Sequence, residues 1–377
     1  MSVEPDPPVP VVDDRHDPAV VARELASKLA SRARHVCLLV GAGAGCAAGL
    51  PTLEVLQTRV LESLADPQKT QATALLKDRN LEEGLSRLRR LQAVLDSKEK
   101  LGGLTATDAE TLDAAICDEI MAQVNTSGSK LDSFVQLASW AARMETERPL
   151  ELFTINYDVL IESGFEQVGV PYFDGFVGGV RAAFLPELVD IQDPASPRGL
   201  PSGFVRLWKL HGSVNWRYVD DGGTQRMVRT TGDDTTGRVA IYPSDEKYDQ
   251  SRRVPFVILM DRFRRALLEP ETITITTGFS FGDMHLNEML FDAASRHSRS
   301  EILALCYDDI PEAVAAKAAT TRNLVALSPT EAIIDGRRTD WKPGSDIPGV
   351  FEGNKFLLGD FARLAAFLAG KVAPADV

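Results

Sequence analysis

Residues 36–52 read VCLLVGAGAGCAAGLPT. Together with His35, the first five residues form an unbroken, largely apolar run. It passes into Gly41-Ala42-Gly43-Ala44-Gly45 and then into an Ala-rich segment. A short strand with apolar side chains on both faces belongs inside a parallel sheet covered by helices on each side. A glycine turn between such a strand and a helix is how a sheet offers backbone N–H groups to phosphates. The same turn can also serve only to let two loops pack closely, and this stretch by itself leaves both readings open. A formal G-x-G-x-x-A pattern is present at Gly43, Gly45 and Ala48. No strand ending in an acidic residue follows about 20 positions later, as it would in a dehydrogenase, and no Gly-Lys-Ser/Thr follows to make a P-loop.

Further apolar runs lie at 150–155, 204–210, 271–277, 301–307 and 323–328, separated by helical or looped segments. This strand–helix alternation predicts an α/β fold: a Rossmann-like, doubly wound parallel sheet. Residues 54–149 interrupt it without a convincing strand. Leu81, Leu85, Leu88, Leu91, Val94 and Leu95 recur at helical spacing, and Gly102-Gly103 and Ser127-Gly128 break the segment into several helices. Residues 214–250 carry a hairpin signal at Asp221-Gly222-Gly223. The expected organisation is a flexible, Pro- and Asp-rich arm at 1–16 and a Rossmann-like domain at 17–53 and 150–377. Residues 54–149 form an inserted helical subdomain, and a small zinc-free hairpin module occupies about 214–250.

The bulk numbers exclude several functions. The 377 residues carry a net charge of −13, which on average repels phosphate backbones and anionic lipid; direct binding to nucleic acid or membrane is not expected. No apolar run approaches the ~18 residues needed to span a bilayer. The N-terminus, MSVEPDPPVPVVDD, lacks the apolar core of a signal peptide, so a cytoplasmic location is expected. Four cysteines (Cys37, Cys46, Cys117, Cys306) form no C-x-x-C pair, which argues against a zinc ribbon or a disulfide framework.

Two strand ends carry chemistry. LELFTINYD (150–158) stops in Thr154, Asn156 and Asp158, and LWKLHGS (207–213) stops in Lys209, His211 and Ser213. Ligands of open α/β sheets sit outside the carboxyl ends of the strands, so Thr154, Asn156 and Asp158 can line one crevice with the glycine turn, and the place of His211 at a strand end before Gly-Ser points toward function. Asp158 can equally cap the following helix, and a lone His is commonly a satisfied core residue. In TGFSFGDMHLNEML (277–290), Gly278 and Ser280 follow a strand and can approach a ribose or phosphate. Asp283, His285 and Asn287 are spaced like metal ligands, although a helix start capped by Asp283 is the plainer account.

Taken in order, GAG…GLP, T-x-N-x-D, K-L-H-G-S and G-x-S-x-x-D resemble the sirtuin superfamily. Within it they resemble the bacterial antiphage-defence branch that hydrolyses NAD, specifically stand-alone sirtuins of the HerA-associated type. The resemblance spans roughly 36–307. It implies that NAD is the substrate, that Gly41, Ala42 and Gly43 hold its pyrophosphate, and that Pro51, Thr154, Gly278 and Ser280 complete the NAD-binding set. It further implies that Asn156 and Asp158 face the nicotinamide ribose and that His211 is the catalytic histidine. Two departures stand out. The two C-x-x-C pairs of deacylating sirtuins are missing, so no zinc is expected. Glu54 also stands where those enzymes carry Arg in Gly-Ile-Pro-Asp-Phe-Arg. The implied activity is cleavage of NAD to nicotinamide and ADP-ribose by an abortive-infection effector. The implied assembly is a homo-oligomer paired with a HerA-type hexameric ATPase. The alternatives are an NAD-dependent deacylase or ADP-ribosyltransferase, and a non-catalytic NAD- or ADP-ribose-binding subunit of a DNA-processing complex.

Overall fold

The computed structural model describes residues 14–95, 99–124, 128–179, 181–189, 200–230, 238–241, 254–296 and 299–370. In chain order the strands are β1 (His35–Val40), β2 (Leu150–Thr154), β3 (Tyr172–Phe173), β4 (Phe176–Val177), β5 (Arg181–Phe184), β6 (Val205–Lys209), β7 (Gly212–Asp221), β8 (Thr224–Thr230), β9 (Arg238–Ile241), β10 (Thr272–Thr277), β11 (Glu301–Leu305), β12 (Leu324–Leu327), β13 (Glu331–Ile334), β14 (Arg337–Asp340), β15 (Phe351–Glu352) and β16 (Lys355–Phe356). The helices are α1 (Pro18–Ala30), α2 (Gly43–Cys46), α3 (Leu53–Ser63), α4 (Gln68–Leu76), α5 (Leu81–Val94), α6 (Ala106–Gln123), α7 (Asp132–Ala142), α8 (Leu160–Val168), α9 (Pro186–Val189), α10 (Phe256–Leu268), α11 (Met284–Arg296), α12 (Glu312–Ala318) and α13 (Phe361–Leu368).

Among the described residues a nine-stranded sheet runs β14-β13-β12-β11-β10-β1-β2-β6-β3. From β12 to β3 every pairing is parallel, with Val40 opposite both Thr277 and Thr154, and Thr154 opposite Lys209. From β1 the chain builds β2 and β6 on one side, with the short β3 beyond β6, and β10, β11 and β12 in order on the other, so the topological switch point of this doubly wound sheet lies beside β1. All six residues of β1 are buried. Val36, Leu38 and Val40 pack with α1, α7, α8 and α13 on one face; Cys37 and Leu39 pack with α10, α11 and α12 on the other. Helices on both faces explain why the strands read as continuous apolar runs.

The acidic side chain that these runs turn toward this second layer, Glu151, is matched, with Arg206 of β6 3.5 Å from its Oε1 on the same face. Arg262 donates through Nε to its Oε2 at 2.9 Å and makes a second contact through Nη2; Trp208 Nε1 donates to the same Oε2 at 3.0 Å. Burial pushes the neighbouring His35 down to about 4, so its imidazole is neutral at physiological pH.

The helical stretch 54–149 divides between two cores. Helices α3 to α6 share a core of their own, built on Val60, Leu88, Leu112 and Ile116, and Tyr157 and Val214 pack against it from outside the insertion. Helix α7 instead buries Phe134, Leu137 and Ala138 in the main core. Two of the inserted helices begin with reciprocal capping boxes, Asn80 with Glu83 and Thr105 with Asp108.

The expected hairpin is β7–β8, turning at Asp221–Thr224. It belongs to a five-stranded antiparallel sheet ordered β4-β5-β8-β7-β9, with Trp216 buried beneath it. The remainder of 214–250, residues 231–237 and 242–250, lies outside the described residues, as do 190–199 of the loop at 183–203. Residues 1–13 of the expected arm also lie outside them. Its last residues are docked: His16 is buried, with Nε2 3.2 Å from the carbonyls of Ala332 and Arg337. Two features go beyond the sequence expectation, the antiparallel extension β13–β14 and the C-terminal β15–β16 hairpin leading to α13. No helix among the described residues is long and apolar enough to cross a membrane.

Candidate functional site

Beyond the carboxyl end of β1 the chain turns at Gly41 into α2, a single helical turn. The Gly41 and Gly43 N–H groups donate to the carbonyls of Thr277 and Gly278, both at 2.9 Å, and Ala44 N donates to Gly41 O at 3.0 Å. A Cβ on Gly41 would lie 2.4 Å from Gly278 O, and one on Gly43 would lie 2.9 Å from Gly278 Cα. Gly278 itself has φ +60, and a Cβ there would sit 2.5 Å from Ala44 N. The three glycines therefore let the loops after β1 and β10 cross backbone to backbone, a contact no side chain would allow. For Gly41 and Gly43 this is the packing alternative read from the sequence. The outer face of the turn still presents Ala42 and Gly43 to solvent, and Ser280 is exposed beyond Gly278. Pro51 leads into α3, whose first turn is capped by Thr52.

At the end of β2, Thr154 Oγ1 donates to Val40 O at 2.9 Å and accepts from Asn156 N at 3.0 Å, tying the strand end to β1. Thr154 is consumed by this role. Asn156 is only 5% exposed, yet neither its Oδ1 nor its Nδ2 has a hydrogen-bond partner among the described residues. A buried amide left so is costly unless something outside the chain satisfies it. With Val159 in the N-cap position of α8, Asp158 Oδ1 accepts from Leu160 N, the first residue of that helix, at 3.0 Å. Its Oδ2 faces Gly45, since a Cβ there would lie 3.8 Å away. Burial pushes the Asp158 carboxyl above its ordinary value, and Lys209 opposes that push.

His211 leaves β6 two residues beyond Lys209, at the level where Asn156 leaves β2. It is buried, with Nε2 3.2 Å from Asp283 Oδ2. Strands β6 and β10 are separated in the sheet by β1 and β2, roughly 14 Å at ~4.8 Å per strand. The His211–Asp283 contact therefore bridges the carboxyl ends of β1 and β2, the end of the sheet at which Asn156 also lies. Asp283 also caps α11, its Oδ1 accepting from His285 N at 2.9 Å and Leu286 N at 3.2 Å. Burial raises the Asp283 carboxyl, but the bond to His211 and these two N–H groups outweigh it and hold the group below the usual carboxylate range. Asn287 is turned to Phe281 O at 2.7 Å. No group of three or more His, Cys, Asp or Glu side chains among the described residues could hold a metal ion.

The structure thus gathers Asn156, Asp158 and His211 at the sheet end with the glycine turn, with Thr154 beneath them and Ser280 exposed two residues beyond Gly278. Sequence reasoning did not anticipate Asp283 as the partner of His211. It named Lys209 at its strand end but gave it no role; the side chain is buried and donates to Glu162 Oε1 at 3.0 Å and to the main-chain oxygen of Asp158. A Lys in an otherwise apolar strand end was the available signal.

Residues 150–327 match the SIR2-like domain family, which supports the sirtuin superfamily for that segment. Among solved structures, the chain is similar to a Sir2 homologue–NAD complex (14% identity, 93% of each chain covered, TM-score 0.47). It is also similar to a mutant Sir2 homologue–ADP-ribose complex (15% identity, 93% of this chain and 95% of that one, TM-score 0.42). No curated protein matches the chain.

Proposed function

We propose that the chain is an NAD hydrolase that cleaves the nicotinamide–ribose bond to give nicotinamide and ADP-ribose. The observation that carries this reading is the buried Asn156 amide, unpartnered among the described residues at the sheet end bridged by the His211–Asp283 contact. The SIR2-like domain supports it by spanning the strand ends that bear Asn156, Asp158, His211 and Asp283.

In this reading the pyrophosphate lies against Ala42 and Gly43 and the nicotinamide ribose faces Asn156. As the C1′–N bond breaks, its electron pair goes to the nicotinamide ring, which leaves neutral, and positive charge develops on the ribose. The Asp158 carboxylate offsets that charge. Asn156 holds a water through its amide oxygen, aimed at the anomeric carbon. The water oxygen bonds to C1′ as its proton passes to His211, whose ring Asp283 orients and whose cationic form Asp283 stabilises. The balance is NAD⁺ plus water to ADP-ribose, nicotinamide and a proton. The Asn156 orphan favours hydrolysis over binding alone, because an amide group with both ends open suits a small polar reactant. Deacylation is disfavoured by the Glu54 substitution and the missing cysteine pairs.

The same reading makes the protein a cytoplasmic antiphage effector that uses no zinc, assembles as a homo-oligomer and is controlled by a HerA-type hexameric ATPase. What supports these finer points is the motif resemblance. The test is nicotinamide and ADP-ribose release from NAD, measured by chromatography with and without a HerA-type ATPase. Release abolished by Asn156→Ala and His211→Ala supports the reading; tight NAD binding without turnover in either assembly leaves a nucleotide-binding subunit.

A further inference from the structure

Lys209 is among the largest fully buried side chains of the protein, its side chain 1% exposed. It ends β6, opposite Thr154 and two residues before His211. An ammonium taken out of water is strongly unfavourable unless it is paired, and an apolar side chain of similar volume packs in such a place at less cost. The charge is nevertheless there, and it is aimed at the candidate site. Its Nζ donates to Glu162 Oε1 at 3.0 Å from α8 and, in the other direction, to the main-chain oxygen of Asp158. The turn from β2 into α8, which carries Asn156 and Asp158, is thereby bolted to the strand that carries His211.

We propose that Lys209, braced by Glu162, is a positioning residue that fixes the Asp158 turn and favours the charged form of the Asp158 side chain. The inference rests on the hydrolase reading, since it concerns the charge that reading assigns to Asp158. The Lys209–Glu162 pair is neutral as a unit, so the net charge contributed by the three groups is that of Asp158 alone. A bare lysine here would oppose positive charge on a ribose; a lysine cancelled by Glu162 does not. The charged groups bearing on Asp158 are Lys209 from β6, which favours its ionised form, and Glu162 from α8, which disfavours it. On the α2 side the uncharged Gly45 faces Asp158 Oδ2.

The opposed signs give a signature that a merely structural ion pair lacks. The pH dependence of kcat/KM for nicotinamide release is measured for the wild type, Lys209→Met, Glu162→Gln and Lys209→Arg. In parallel, the Asp158 carboxyl is titrated by ¹³C NMR without NAD and assigned with Asp158→Asn. Lys209→Met is expected to move the acid limb and the carboxyl titration up by about one pH unit or more, roughly tenfold in activity below the limb. Glu162→Gln is expected to move both down, and Lys209→Arg to keep them near the wild-type position. Shifts of the same sign in the two variants, or none in either, overturn the proposal. Absence of turnover in every assembly overturns the hydrolase reading, and the carboxyl titration then still decides the role of Lys209.

Discussion

Replacing Asn156 with leucine separates a functional amide from a structural one, because the two assignments predict opposite signs. The side chain is 5% exposed and neither end of its amide has a partner among the described residues, while its main-chain N–H is held independently by Thr154 Oγ1. Leucine has nearly the same shape and no polar atoms. Each buried, unsatisfied polar group costs about 1–3 kcal/mol, and replacement by an apolar group of the same shape removes that cost. Taking the low end for two groups, Asn156→Leu stabilises the free protein by about 2 kcal/mol. At about 2.1 cal/mol/K per residue, a chain of 377 residues unfolds with an entropy near 0.8 kcal/mol/K, so Tm rises by about 2–3 °C. Differential scanning calorimetry without NAD measures this, and a chromatographic nicotinamide assay on the same preparation should show turnover lost. Loss of stability by 1 kcal/mol or more would refute the reasoning, since it would mean that the amide is held by the fold. Higher stability with turnover intact would refute the catalytic role.

Asp283→Asn keeps an oxygen to cap α11 but removes the charge beside His211; kcat should fall about 10–100-fold, within the range of general acid–base effects, with little change in Tm. His35 supplies a pH prediction. Its folded-state value near 4 lies below its ordinary 6.5, so its contribution to stability is complete above pH 6.5 and is lost as pH falls toward 4. The difference is worth about 3 kcal/mol, and urea midpoints across that window should flatten in His35→Gln. Gly41→Ala places a methyl 2.4 Å from the Gly278 carbonyl and should cost about 2–3 kcal/mol in urea unfolding, where an alanine placed at the exposed Gly179, which has open space around it, should be near neutral.

The central strands were legible because burial on both faces leaves a run of apolar residues with sharp polar ends: β1 and β10 fall within a residue of the runs that announced them. Strand β14 was not, because its four residues, Arg-Arg-Thr-Asp, are all exposed and nothing in their pattern distinguishes a sheet edge from a loop. In 54–149 the helical period was clear, but period says nothing about which core a helix joins, and α7 joins the main one. The site divides in the same way. Asn156, Asp158 and His211 could be picked out because polar side chains at apolar strand ends need a reason. The Asp283 partner of His211 lies 72 positions away in the chain and on the far side of two intervening strands. Its local role as a helix cap, which sequence does reveal, hid the second one.

The insertion also belongs to the site in a way its sequence conceals. Tyr157, the residue between Asn156 and Asp158, packs against the core of α3 to α6, and so does Val214, the residue after Ser213. The same two points are stitched together by main chain: Val214 N donates to Tyr157 O at 2.9 Å, and Ser213 Oγ reaches that oxygen at 3.2 Å. The sheet fixes where β2 and β6 end, but the turns beyond those ends are set by what they pack on, and here that is the inserted helices. Tight packing transmits a displacement rather than absorbing it. A shift of the insertion therefore moves the backbone that carries Asn156 and Asp158 relative to a sheet that stays still. Lys209 and Glu162 hold the same turn from beneath. The turn that carries Asn156 and Asp158 is thus held between the Lys209–Glu162 pair and the α3–α6 helices, built from sequence with no catalytic motif of its own. That arrangement gives the 71 residues from α3 to α6 a reason to interrupt the Rossmann-like domain directly after its glycine turn.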